Sequence, residues 1–236
     1  MKKISIFCFL ATACLASLIY YACHPTYLPN NDSKLQNFLR FINYTYLKAK
    51  TDPFCNPEIP TSEVPIDVVI PVIEKDAATL VLTIESVRAN IPKRFKNIYF
   101  IAPESEVLRK IAIEKNCIFV LEDNVLPVFS KNTQRKGWIK QQYLKLNADT
   151  VATCEHFLII DADTLLIRPQ IFVTKDKEVL NILHDYWFKR KQMVKIALGF
   201  NKFHNLDFTS HHMLFSKTKI QALKQHLQNM HGKPWQ

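Results

Sequence analysis

Glycine is nearly missing from this chain: 236 residues contain three, Gly137, Gly199 and Gly232. A dinucleotide fingerprint or a P-loop needs clustered glycines so that backbone N–H groups can come close to phosphate. Neither loop can be built here, so a bound nucleotide diphosphate would have to be neutralised by metal and basic side chains. Paired cysteines are lacking too. None of the six cysteines forms a Cys-x-x-Cys pair, which argues against a zinc site. Cys8, Cys14 and Cys23 lie in an apolar N-terminus, and Cys55, Cys117 and Cys154 lie in the rest. Three cysteines do not pair off, so the pattern calls for no oxidising compartment; Cys117 and Cys154 read as buried thiols. No internal repeat or low-complexity segment is visible. Acid is in the minority, with 21 Asp and Glu against 31 Lys and Arg, a formal net charge of +10. That balance suits anionic partners. The cations are scattered, and no recognition helix or RNA-binding signature accompanies them, so nucleic acid is not expected.

One long apolar run is present. Lys2 and Lys3 precede an uncharged stretch from Ile4 to Cys23. As a helix, about 20 residues at ~1.5 Å each span the ~30 Å hydrocarbon core. Signal-peptide cores are shorter, about 7–15 residues, and Tyr20-Tyr21 suits an interfacial belt. An uncleaved single-pass anchor is the expectation, with signal-type or lipoprotein-type cleavage as the alternative. Lys2 and Lys3 favour a cytoplasmic N-terminus, but Lys34 and Arg40 follow closely, so the side of the membrane stays open. Residues 26–64 read as a Pro-punctuated stem with one possible amphipathic helix from Leu35 to Lys50. The remainder, 65–236, reads as one domain, since 48% hydrophobic residues suffice for one sizeable core.

Phe157-Leu-Ile-Ile160 followed by Asp161-Ala162-Asp163 is the most informative stretch. The short apolar run predicts a buried strand. Extended backbone continuing through Asp163 would aim both carboxylates at one point beyond the sheet, where a divalent metal with oxygen ligands would offset their repulsion. In open α/β sheets, ligands sit outside the carboxyl ends of the strands. From Ile66 onward, strand and helix patterns alternate. Strands are predicted at 66–72, 97–102, 118–121 and 156–160, with an extended stretch at 164–167 and a further strand at 208–215. Helices are predicted at 77–90, 104–116, 137–153 and 217–230. Such alternation indicates βαβ units and a mainly parallel sheet.

Four groups of residues together carry a family resemblance: Asp67-Val-Val-Ile-Pro71-Val72; Gly137-Trp138 with Gln141-Gln142 and Lys145-Leu146; Asp161-Ala-Asp163-Thr164; and Phe208-Thr-Ser-His211-His212-Met-Leu-Phe215. In this order the set resembles the DUF6492 glycosyltransferase-like proteins, which are similar to the nucleotide-diphospho-sugar transferases of the GT-A fold. The resemblance covers roughly Pro65 to the C-terminus. It implies an α/β, GT-A-like, mainly parallel sheet flanked by helices, here preceded by the N-terminal apolar helix. It also implies that Asp161 and Asp163 hold Mn2+ or Mg2+ on the donor diphosphate, with Asp163 the direct ligand and Asp161 also a donor contact. Pro71 and Val72 would then lie by the base.

Glycosyl transfer needs a stabilised diphosphate leaving group, which metal and nearby cations supply. Arg135, Lys136 and Lys140, near the start of the Gln141-Gln142 helix, are candidates for the donor phosphates. Trp138 is a candidate stacking surface and Gln141 a hydroxyl contact. His211 and His212 are the catalytic candidates; on a strand they face opposite sides, so at most one joins a given site. The expected function is metal-dependent transfer of a sugar from a nucleotide-diphosphate donor to a glycan or lipid-linked, cell-envelope acceptor, at a membrane reached through residues 4–23. The resembled proteins usually continue beyond Gln236. The alternative is therefore a degenerate, non-catalytic GT-A domain serving as a membrane-anchored binding or scaffold protein. A nucleotidyltransferase of related fold fits less well, because no Gly-rich basic loop follows the first strand.

Overall fold

A computed structural model of the chain describes residues 64–91, 95–126, 136–174, 177–181, 188–200 and 209–235. The expected apolar N-terminal helix, the stem helix and Arg135 lie outside the described residues. The chain divides into two compact units: Met1–Glu58 with Ile182–Thr209, and Ile59–Asn181 with Ser210–Gln236. Among the described residues, no helix is long and apolar enough to cross a membrane.

The second unit is built on a five-stranded sheet. Strand β1 (Ile66–Pro71) is followed by helix α1 (Ala77–Asn90), β2 (Phe95–Ala102), α2 (Glu106–Glu114), β3 (Ile118–Leu121), a short α3 (Glu122–Val125) and α4 (Lys136–Leu146). β4 (His156–Ile160) comes next. In the first unit the described helix is α5 (Phe188–Leu198), and the chain then re-enters the sheet as β5 (His212–Ser216) and α6 (Lys217–His231). The strand order is β3-β2-β1-β4-β5. β1, β2, β3 and β4 run parallel, and β5 pairs antiparallel with β4. The α/β class and mainly parallel sheet agree with the sequence expectation. The details differ at several places: the last strand begins at His212 rather than at 208, and helices α3 and α5 were not expected. α4 ends at Leu146 and gives way to a 3-10 turn at Ala148–Thr150, and residues 164–167 form no strand.

Side-chain alternation builds two cores on the two faces of the sheet. On one face, Val68, Ile70, Phe100, Leu158, Ile160 and Leu214 pack with Leu80, Ile84 and Val87 of α1 and Leu108 of α2. On the other, Val69, Tyr99, Ile101, Phe157 and Ile159 pack with Leu144 of α4 and Ile220 of α6. Central strands covered on both faces need near-continuous apolar sequence, and β1 and β4 provide it. Ser105 caps α2 by accepting from Leu108 N, and Ser216 caps α6 by accepting from Lys219 N. Gly232 closes α6 at φ 62°, a left-handed position where a side chain is strained.

Asp67 is the exception within β1: a carboxylate with no exposure. Its Oδ2 accepts from Thr153 N at 2.6 Å, Cys154 N at 2.8 Å and Thr153 Oγ1 at 3.0 Å, and its Oδ1 accepts from Asn97 Nδ2 at 3.1 Å. The bonds tie the loop entering β4 to β1 and β2. Asp67→Ala should destabilise the fold by about 3 kcal/mol or more, because several buried donors lose their acceptor at about 1–3 kcal/mol each. Asp67→Asn should cost less. Urea unfolding of both variants checks this order.

Cys117 and Cys154 are free thiols. Burial pushes the Cys117 thiol up to about 11. At pH 8 only about one thiol in a thousand is then ionised, and the thiolate is the reactive form. Alkylation of Cys117 by iodoacetamide, followed by peptide mass, should be slow at pH 8 and accelerate about tenfold per pH unit up to pH 10.

Candidate functional site

The strand order reverses between β1 and β4, so the carboxyl ends of these two strands open a crevice of the kind that receives ligands in α/β sheets. Asp161 stands immediately beyond β4. Alternation along β4 carries its side chain to the α4 face, where Lys145 Nζ lies 2.5 Å from Asp161 Oδ1. The antiparallel register pairs Ile160 with His212. Continued by one residue, it sets His211 beside Asp161: Asp161 N–H donates to His211 O at 2.9 Å, and His211 Nδ1 lies 3.1 Å from Asp161 Oδ2. One carboxylate thus meets two nitrogen groups from two other elements. The side chains of Asp161 and Lys145 are 16% and 17% exposed, and that of His211 is 82% exposed.

The expectation that both carboxylates converge along an extended strand is not met. The chain turns at Asp161–Thr164, with Thr164 N–H donating to Asp161 O at 3.0 Å. Ala162 is tucked into the core and Asp163 is exposed on the turn. Helix α1 explains the turn. Thr83, Ser86 and Asn90 recur at helical spacing along it. Thr83 Oγ1 donates to Ala162 O at 2.8 Å, Leu166 N–H donates to Ser86 Oγ at 3.1 Å, and Asn90 Nδ2 donates to Leu166 O at 2.5 Å. Gln170 N–H adds a bond to Asn90 O at 2.8 Å. This polar stripe draws the loop toward α1 and ends the extended run after Asp161.

The other predicted residues are placed as follows. Pro71 and Val72 lie at the carboxyl end of β1, and Val72 is buried within the core against the α1 face. Lys140 Nζ sits 2.5 Å from Glu122 Oε1 of α3, so its charge is already answered. Trp138 is 61% exposed. Trp138, Gln141 and Lys145 share one face of α4 at spacings of three and four residues. Lys136 begins α4. His212 points to the opposite face of the sheet from His211, edge-on to Phe172 at 5.9 Å, with the Asn181 amide nitrogen 2.5 Å from its Nε2. Burial, and then the nearby His211 charge, hold His212 below the ordinary imidazole value. A neutral imidazole there can accept from Asn181. A separate concavity of about 490 Å³ opens at the amino ends of β2 and β3, lined by Arg88, Lys96, Asn97 and Cys117 among others, away from Asp161.

The sequence reading passed over Lys145 and the Thr83–Ser86–Asn90 stripe as functional residues. The stripe is detectable as small polar residues at helical period within α1. Lys145 stands in a residue group that carries the family resemblance, but nothing in the sequence assigns it a role.

The donor atoms fit a divalent ion in part. Among the described residues, no group of three or more His, Cys, Asp and Glu gathers around one point. Asp161 Oδ2 and His211 Nδ1 are nevertheless 3.1 Å apart. Ligand bonds of about 2.1 Å at right angles place adjacent donor atoms about 3.0 Å apart. Asp161 Oδ1 is buried, with the Lys145 ammonium 2.5 Å away. Ions such as Mg2+ commonly use one or two carboxylates plus waters and substrate phosphates. Asp161 and His211, with Asp163 on the adjoining turn, are the residues that would hold one.

These features define an α/β protein with a mixed Asp, His and Lys cluster at the switch point of its sheet. The sequence matches the model of a family of unknown function, DUF6492, over residues 64–236, and the chain belongs to that family. No curated protein matches it. Among solved structures it is similar to galactosyltransferase LgtC in complex with donor and acceptor sugar analogs, at 16% identity over 71% of this chain and 65% of that one, TM-score 0.45. An active-site mutant of LgtC gives 17% over 72% and 66%, TM-score 0.46. Glucosyl-3-phosphoglycerate synthase from Mycobacterium tuberculosis, in complex with Mn2+, uridine diphosphate and glucosyl-3-phosphoglycerate, gives 19% over 44% and 36%, TM-score 0.34. The chain spans about a third of the synthase and just under two thirds of the galactosyltransferase.

Thr83→Val keeps the side-chain shape but leaves the buried Ala162 carbonyl without its donor. It should cost about 1–3 kcal/mol and speed amide exchange at Thr164 and Leu166 more than in the strands. Urea unfolding and site-resolved hydrogen exchange measure the two effects.

Proposed function

We propose that this chain is a metal-dependent glycosyltransferase of GT-A type, moving a sugar from a nucleotide-diphosphate donor to a glycan or lipid-linked acceptor of the cell envelope. The observation that carries the reading is Asp161 at the switch point, flanked by His211 at 3.1 Å and Lys145 at 2.5 Å. Mn2+ or Mg2+ bound there would neutralise charge developing on the diphosphate leaving group. In this reading Asp161 and His211 supply donor atoms, and Asp163, exposed on the next turn, adds a carboxylate. Trp138 and Gln141, on the Lys145 face of α4, offer a flat apolar surface and a hydrogen-bonding amide to sugar or base. Pro71 and Val72 mark the β1 side of the crevice. His212, turned to the other face, has no place in it. Anchoring through residues 4–23, a stem over 26–64 and a domain from 65 onward belong to the same proposal.

A second reading, a non-catalytic domain acting as a membrane-anchored binding or scaffold protein, is favoured by one observation: Asp161 already has an ammonium partner. Turnover of a donor sugar by the purified chain would exclude it.

The test is thermal unfolding of the full-length chain with Mn2+ and a panel of nucleoside diphosphates. One diphosphate at about 100-fold over its dissociation constant should add ~2.7 kcal/mol, and only with Mn2+ present. The gain should vanish in Asp161→Asn and shrink in Asp163→Asn. A well-folded protein that no diphosphate stabilises would sink the reading.

A further inference from the structure

The Lys145–Asp161 pair sets a condition on how the site fills. Lys145 stands in the last turn of α4, where the helix dipole favours a cation. Its helix is fixed on both sides. Leu144 is in the core, and just beyond the helix Asn147 Oδ1 accepts from Lys224 Nζ and Trp235 Nε1, each at 2.9 Å. Lys224 Nζ also lies 2.5 Å from Asp149 Oδ1, and Trp235 packs against Tyr143 at 5.9 Å. The Lys145 backbone therefore cannot retreat. Its ammonium can swing only as far as a four-carbon stem allows.

A divalent cation taking Asp161 must share that carboxylate with a positive charge 2.5 Å from one of its oxygens. Two cations sharing one carboxylate repel each other in a partly desolvated site. A diphosphate changes the balance, because it offers the ammonium a second anionic partner on the same side of the crevice. We propose that Lys145 is the resident counter-ion of Asp161 and makes divalent-cation binding conditional on the diphosphate. The ion alone binds weakly, the diphosphate relieves the repulsion, and by linkage each ligand strengthens the other. The donor then arrives as the metal–diphosphate unit. This inference rests on the donor-site reading above and deepens it.

The experiment measures Mn2+ binding to the full-length chain, without nucleotide, from the electron paramagnetic resonance signal of free Mn2+. The variants are Lys145→Met, which keeps the stem and removes the charge, Lys145→Gln as a second neutral form, and Lys145→Arg, which keeps the charge. Removing the neighbouring like charge should tighten Mn2+ binding by at least about tenfold in the neutral variants. Lys145→Arg should stay near wild type. Adding Asp161→Asn to Lys145→Met should abolish the gain. If Lys145→Met does not fold, Lys145→Gln decides. Mn2+ affinity in a folded neutral variant that equals or falls below wild type overturns the inference. The donor-site reading would still stand in that case if wild type shows Mn2+-dependent stabilisation by a nucleoside diphosphate. Absence of that stabilisation, with no Mn2+ binding by any variant, overturns both.

Discussion

Strand β4 is the constraint on which the rest of the site depends. It pairs parallel with β1 on one edge and antiparallel with β5 on the other, and its four residues Phe157 to Ile160 are buried on both faces. The register of a strand buried on both faces is fixed firmly, since a one-residue slip would exchange the side chains of the two cores. That register does three things at once. It delivers Asp161 to the α4 face, it brings His211 alongside through the last rung of the β4–β5 ladder, and it places both next to the end of β1.

Polar interactions then decide what the apolar sheet leaves open. Asp67 fixes the entry to β4 from below, accepting from the Thr153–Cys154 backbone. Thr83, Ser86 and Asn90 fix the exit from above. Such bonds add modest net stability each, but breaking one leaves a buried group unsatisfied, so they select one loop path among those the core would tolerate. The loop path selected is a turn, and it separates the roles of the two aspartates. Asp161 is partly buried and answered by nitrogen groups, whereas Asp163 faces solvent and is open to a ligand that arrives from outside.

The cations are apportioned in the same way. Lys140, which sequence position alone put beside the donor phosphates, is held by Glu122. Lys145, further along α4, meets Asp161. The two differ by five residues, nearly a turn and a half, and therefore point to different neighbours. Which lysine serves the site depends on where α4 sits on the sheet, and that is set by Leu144 in the core and by the Asn147–Lys224–Trp235 contacts beyond it.

Local chemistry was legible in the amino-acid order. Apolar runs ending in polar residues gave β1, β3 and β4 and helix α1 nearly to the residue, and their alternation gave the parallel sheet. The scarcity of glycine excluded phosphate loops, and Asp161 was marked by its place after a buried strand. Strand pairing was not legible, because β5 returns from far downstream to lie beside β4, and pattern along one strand carries no information about its partner. His211 against Asp161, Lys145 rather than Lys140, and the turn that parts Asp161 from Asp163 all follow from contacts between residues far apart in the chain. The sequence by itself determined which segments become strands and helices and where a carboxylate stands. Only the tertiary structure decided which charges face that carboxylate, because charge partners are set by distance in space, and the packing of helices on the sheet sets that distance.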